Sequence, residues 1–227
     1  MFIGHYAPAF VIKSVEKTIP LWLLFLAVQL VDIAWAVFVL LGIEKVRIVP
    51  GITASNPLDL YYFPFTHSLL AALVWSVIAF ALFKSIPKFR DIRGAALLVG
   101  VGVFAHWVLD LFVHTRDLPL YGDVFKVGLG LWNYPIMATM LEGGFLAGGI
   151  LVYLGSTTAK SRFGRYGVVV FGLVMLVIHL SSLFGPPPPS PQALALVMLV
   201  CYFGFAGIAF WLEGKRPTGL DSHSATV

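Results

Sequence analysis

Residues 94–114 read GAALLVGVGVFAHWVLDLFVH, an apolar run long enough to cross a bilayer that carries His106, Asp110 and His114 in its second half. At 3.6 residues per turn, positions i, i+4 and i+8 stack on one helix face. Ionised groups facing lipid would cost several kcal/mol each, so the stripe must face protein, water or an ion. A buried polar site on an apolar helix is therefore the first expectation.

The rest of the chain makes the apolar reading general. Of 227 residues, 59% are hydrophobic and only 11% charged, against the roughly 25% charged of a soluble domain. The expected fold is all-α, a polytopic membrane helix bundle of about six transmembrane helices. Their spans are read as Leu21–Ile43, Pro64–Phe83, Gly94–Val113, Tyr134–Leu154, Val168–Phe184 and Ala193–Leu212. Ahead of them FIGHYAPAFVI is too short to cross and holds Pro8, which fits a re-entrant or interfacial segment. With no basic stretch before it, a cleavable signal is not expected. Residues 1–215 read as one integral membrane domain and 216–227 as a disordered polar tail. Four prolines, Pro186–Pro189, stiffen the connection between the last two spans.

The single Cys201 excludes an internal disulfide and a cysteine metal site. The net charge of +4 does not imply nucleic acid, because the basic residues lie between apolar runs instead of forming one patch. They report topology. Eleven of the fifteen Lys and Arg fall in segments on one side, from Lys13 to Arg216, and four (Lys45, Arg47, Arg116 and Lys126) on the other. Such an asymmetry puts both termini in the cytoplasm and the loops around Asn56 and Gly122 outside.

On that topology the polar residues converge in depth. Asp32 sits mid-way along the first span and His67 enters the second from outside. Glu142 lies about 12 Å deep, and eight residues of helix would lift His5 about 12 Å above Lys13. Each has a plainer reading: an interhelical hydrogen bond for Asp32 and Glu142, an interfacial position for His67. Together they form the donor set of a divalent ion, zinc first, with manganese or iron as alternatives. The ligands read this way are His5, Asp32, His67, His106, Asp110 and His114. Glu142 or Asp32 would serve as general base. Asp59, in an outer loop, would fold over the site, and Arg116 and Lys126 would draw an anionic headgroup, although ordinary loop and surface roles explain these three as well. Membrane lipids are the expected partners, with a phospholipid or lipid-linked ester as substrate.

The order GH, an Asp in the next apolar helix, THSL, then H-x-x-x-D resembles the bacterial inner-membrane metal-dependent hydrolases, themselves distantly similar to the zinc-dependent phospholipase C and S1/P1 nuclease group. The residues concerned are Gly4-His5, Asp32, Thr66-His67-Ser68-Leu69 and His106 with Asp110, over the first half of the chain. The resemblance implies a helical inner-membrane protein, a divalent-metal centre at those positions and hydrolysis of a phosphoester or related bond. The chain departs from that family at LVDIA, which lacks a proline before the Asp, and at YYFPFTHS, which lacks a histidine–arginine pair. Two other classes fit the same residues: a proton or cation pathway, and a structural membrane protein whose polar groups pair with one another. Haem ligation by His106 and His179 has no attachment motif behind it.

Overall fold

The structure, a computed structural model, describes residues 1–159 and 161–216. The chain enters through a 3₁₀ turn, Ile3–Tyr6, that runs directly into α1 (Ala7–Val15). This segment is buried among the helices. Ile3, Tyr6, Ala9 and Phe10 are all at most 1% exposed, enclosed by α2 (Leu21–Val28), α6 (Ala95–Val113) and α7 (Pro135–Ser156). Gly149 of α7 permits the approach, because a Cβ there would stand 2.8 Å from Ala7 Cα. The segment expected to be re-entrant or interfacial is thus packed inside the bundle.

The first expected span is broken. α2 stops at Val28 and α3 (Leu30–Leu40) resumes at an angle of 55°. Buried Gln29 occupies the break with φ −105° and ψ 6°, and its Nε2 donates to Phe2 O at 3.3 Å. The bend puts Asp32 in the first turn of α3, where the helix dipole favours a negative charge. After α3, β1 (Lys45–Ile48) pairs antiparallel with β2 (Leu58–Tyr62) in the register Arg47↔Asp59 and Ile48↔Leu58.

A second break separates α4 (Pro64–His67) from α5 (Leu69–Ser85) at Ser68, whose Oγ accepts from Ala71 N at 3.0 Å and so caps α5. The amides of Leu69 and Leu70, which a helix start leaves without partners, donate to Pro119 O and Leu120 O. The loop after α6 is thereby clamped over the start of α5. α8 (Arg162–Phe184) begins six residues earlier than the charges at Arg162 and Arg165 suggest, because Ser161 caps it. α9 (Pro191–Glu213) begins at the proline that follows its Ser190 cap.

Four helices, α6 to α9, are each long and apolar enough to cross a membrane, and the bent pair α2–α3 together passes as a fifth. The 17-residue α5 is apolar but shorter. Outward faces are apolar, for example Val77 and Leu82 on α5, Leu173 and Val177 on α8, and Val200 and Phe210 on α9. An exposed apolar belt around buried histidines and acids is the arrangement a lipid solvent requires.

At the end of the bundle away from β1 and β2, Lys13 pairs with Glu213 and donates to Lys17 O and Ile19 O. Arg216 is buried and donates to Leu154 O, Thr157 O and Gly164 O, closing the C-terminal turn of α7 against α8. The expected tail therefore does not include Arg216, and its remainder, 217–227, lies outside the described residues.

Candidate metal centre

His5, Asp32, His67, His106, Asp110 and His114 are all buried, and they converge. The ligand atoms of His5, Asp32 and His106 lie within 4.8 Å of one another, as do those of His67, His106 and Asp110. These buried groups can hold a metal ion. His106 is common to both sets because its ring sits between the two carboxylates, its Nε2 3.6 Å from Asp32 Oδ1 and 3.3 Å from Asp110 Oδ2. His67 Nε2 spans the same pair, at 3.2 Å and 3.8 Å. Two ligands held at about 2.0–2.1 Å on a tetrahedral zinc stand roughly 3.4 Å apart, which is the range these separations fill.

The decisive detail lies on the far side of each ring. His106 Nδ1 is 2.8 Å from Val28 O. A carbonyl only accepts, so Nδ1 carries the proton and Nε2 presents its lone pair to the cluster. Val28 is the last residue of α2, and the break at Gln29 turns its carbonyl toward α6. His114 Nδ1 faces Asp117 Oδ1 at 3.1 Å, which fixes the same tautomer, with Nε2 3.7 Å from Asp110 Oδ2.

His67 reaches the same state through a relay. Its Nδ1 lies 2.7 Å from Thr66 Oγ1, and that hydroxyl donates to Glu44 Oε2 at 2.7 Å. With its proton committed to Glu44, the Thr66 oxygen accepts from His67, leaving Nε2 free. Glu44 Oε1 also accepts from the amides of Phe65 and Thr66. Burial at the end of the α3–β1 connection still pushes the Glu44 carboxyl up to about 7. Imidazoles oriented from behind by a carbonyl, a carboxylate and a hydroxyl–carboxylate pair are the usual outer shell of a metal site.

His5 differs. It stacks on His106 with centroids 3.7 Å apart, and its Nε2 lies 3.2 Å from Asp110 Oδ1 but off the axis of a hydrogen bond. Both of its ring nitrogens and Nε2 of His106 are buried without a hydrogen-bond partner. Orphaned lone pairs of this kind are costly unless an ion or water takes them. The Met1 nitrogen also rests against Asp110 Oδ1. A cavity of about 70 Å³ opens onto the cluster between Asp32, His67, Asp110, His114 and Trp132, several times the roughly 10–15 Å³ that one water needs.

Other expected residues lie elsewhere. Glu142 does not point into the cluster as a free base: its Oε2 accepts from Phe2 N at 2.7 Å and Gly4 N at 3.4 Å, holding the turn that carries His5. Asp59 does not fold over the site but pairs with Arg47 across the β1–β2 register, Nε to Oδ2 2.8 Å. Arg116 is exposed, and Lys126 is spent on Asp123 at 2.8 Å and Tyr61 O at 3.3 Å. None of these four lines the cavity at the cluster.

Three participants were not visible in the sequence pattern. Glu44 and the relay role of Thr66 depend on a contact across 22 residues. Tyr202, deep in the apolar run of α9, donates to Asp32 Oδ2 at 2.7 Å and fixes which oxygen of Asp32 faces the histidines. A tyrosine eleven residues into a long apolar helix is the signal that could have found it.

No family model matches this chain, and neither a curated protein nor a solved structure matches it.

Proposed function

We propose that this chain is a membrane-embedded, metal-dependent hydrolase of the bacterial inner membrane, acting on a phosphoester or lipid-linked ester in the outer half of the bilayer. The supporting observation is the common tautomer: His67, His106 and His114 are each held at Nδ1 and turn Nε2 toward Asp32 and Asp110. A purely structural ion-pair cluster has no need to leave the buried Nε2 of His106 without a hydrogen-bond partner. In this reading six spans arise from α2–α3, α4–α5 and α6 to α9, with the Lys and Arg asymmetry setting both termini in the cytoplasm.

Two overlapping sets, His5–Asp32–His106 and His67–His106–Asp110, would each offer three ligands and leave a position for water, and zinc is the ion that such nitrogen–oxygen sets suit first. Once bound, such an ion acidifies water and polarises the ester oxygen. His114, in the cavity wall with Nδ1 anchored on Asp117, takes the proton of the attacking water at Nε2. As the oxygen of that water bonds to phosphorus or carbonyl carbon, the bond to the leaving oxygen breaks, and His114 returns the proton there. A cation pathway is the weaker reading. In the half of α6 preceding His106, Val99 and Val103 share one buried apolar cluster with Ile12, Phe25 and Val28.

The test is hydrolysis by the full chain in detergent, with and without added zinc, over a phosphomonoester, a phosphodiester, a carboxylester and a phospholipid. Zinc-dependent turnover of at least one is expected. It should vanish with bound zinc in His106→Ala, and vanish with zinc retained in His114→Ala. A protein that binds zinc but turns over none of the four would move the cation reading ahead.

A further inference from the structure

A second, larger cavity of about 470 Å³ lies between α7, α8 and α9, within the roughly 300–1,000 Å³ of ligand sites. Its walls are apolar, with Ile178 and Leu183 from α8 and Leu194, Val197 and Met198 from α9. The loop at Ser55–Leu58 and the prolines at 186–189 cover its end. On α9 the lining runs from Ala193 to Tyr202, about 14 Å of helix. That is close to half of a hydrocarbon core of about 30 Å, the depth of one leaflet.

Two features connect it to the metal centre. Met1, Leu58, Trp132 and Met198 line both cavities, so the small polar pocket and the large apolar one are neighbours sharing a wall. At its inner end the cavity meets Glu142 and His179, where His179 Nδ1 is buried without a hydrogen-bond partner and 3.9 Å from Glu142 Oε2. An apolar slot of leaflet depth beside a polar pocket matches an amphiphile: tail in the slot, headgroup at the histidines.

We propose that this cavity binds one hydrocarbon chain of a membrane phospholipid and thereby makes a lipid, instead of a soluble ester, the substrate class of the neighbouring centre. The assignment of the headgroup rests on the hydrolase reading. Occupancy of the slot does not, and it is measured separately.

The probe is a phosphatidylglycerol with a diazirine on one acyl chain, at low density in phosphatidylcholine nanodiscs holding the full chain. Irradiation and peptide mapping read where the chain lies. Labelling is expected on the cavity side, at Thr139, Ser182 and Leu194, with or without zinc. Two substitutions narrow the slot from different helices, Ala193→Trp and Ile178→Trp, and each should cut this labelling at least fivefold. Leu196→Trp, on the outward face of α9, should leave it unchanged. A soluble short-chain phosphodiester should be hydrolysed by Leu196→Trp as it is by the native chain. Label confined to outward residues such as Leu196 and Val200 of the wild-type chain would overturn the proposal without recourse to any variant. So would cavity labelling that Ala193→Trp and Ile178→Trp both leave intact. A chain that labels in the cavity but binds no zinc would instead overturn the hydrolase reading and leave the lipid site standing.

Discussion

Thr66→Val removes one oxygen atom and preserves shape, so it isolates the relay behind His67. In the native protein that hydroxyl holds His67 Nδ1 at 2.7 Å and Glu44 Oε2 at 2.7 Å. Without it the imidazole loses the acceptor that fixes its tautomer, and its proton becomes free to move to Nε2, where it blocks coordination. Losing an outer-shell partner of a ligating histidine costs roughly 10–100-fold in metal affinity, or about 1.4–2.7 kcal/mol. A second effect falls on folding: Glu44 Oε2 loses its hydroxyl donor in a buried place, at about 1–3 kcal/mol. Competition between the detergent-purified chain and a fluorescent zinc chelator measures the first, and thermal unfolding of the metal-free protein the second. Thr66→Ser retains the hydroxyl and should recover affinity to within about threefold of native, well inside the loss expected from the missing partner. Native affinity in Thr66→Val, or an equal loss in Thr66→Ser, would refute the relay.

Glu44 supplies a pH dependence whose sign is fixed by its environment. Its carboxyl is raised from the ordinary 4.5 to about 7, so the folded metal-free protein binds a proton that the unfolded chain releases. Stability is therefore full below about 4.5 and is lost as pH rises toward 7, by up to about 3 kcal/mol. Glu44→Gln should flatten that part of the difference between unfolding curves at pH 5 and pH 8, and an unchanged slope would count against it. Glu142→Ala orphans the amides of Phe2 and Gly4, at about 1–3 kcal/mol each, and loosens the turn bearing His5. It should lower both melting temperature and zinc affinity, whereas Glu142→Gln, which keeps a carbonyl acceptor, should restore most of both. Equal stability of Glu142→Ala and the native chain would remove its capping role.

What the sequence made legible were the features that periodicity and hydropathy carry alone. The one-face stripe of His106, Asp110 and His114 follows from the helix repeat, and the convergence of His5, Asp32 and His67 on it follows from depth in an apolar medium. The breaks at Gln29 and Ser68 were not legible, because neither residue forbids a helix. Gln29 is turned out of the ladder by a tertiary partner, Phe2 O, and Ser68 caps α5 where a loop from after α6 takes up its free amides. Those breaks in turn create the carbonyl that orients His106 and the short turn that presents His67. Glu142 misled for a related reason: a buried acid beside the site has the composition of a base, and only its two backbone amides reveal a cap.

The central claim is that the buried His–Asp cluster is a metal centre with nitrogen and oxygen ligands. X-ray absorption at the zinc edge on the full chain, purified in detergent, dialysed and reloaded with one equivalent of zinc, tests it directly. The account predicts a first shell of histidine nitrogen and carboxylate oxygen at about 2.0–2.2 Å, with the imidazole scattering reduced when His67 and His106 are both replaced by alanine. A zinc spectrum showing only water oxygens, or one unchanged by that double replacement, would contradict it.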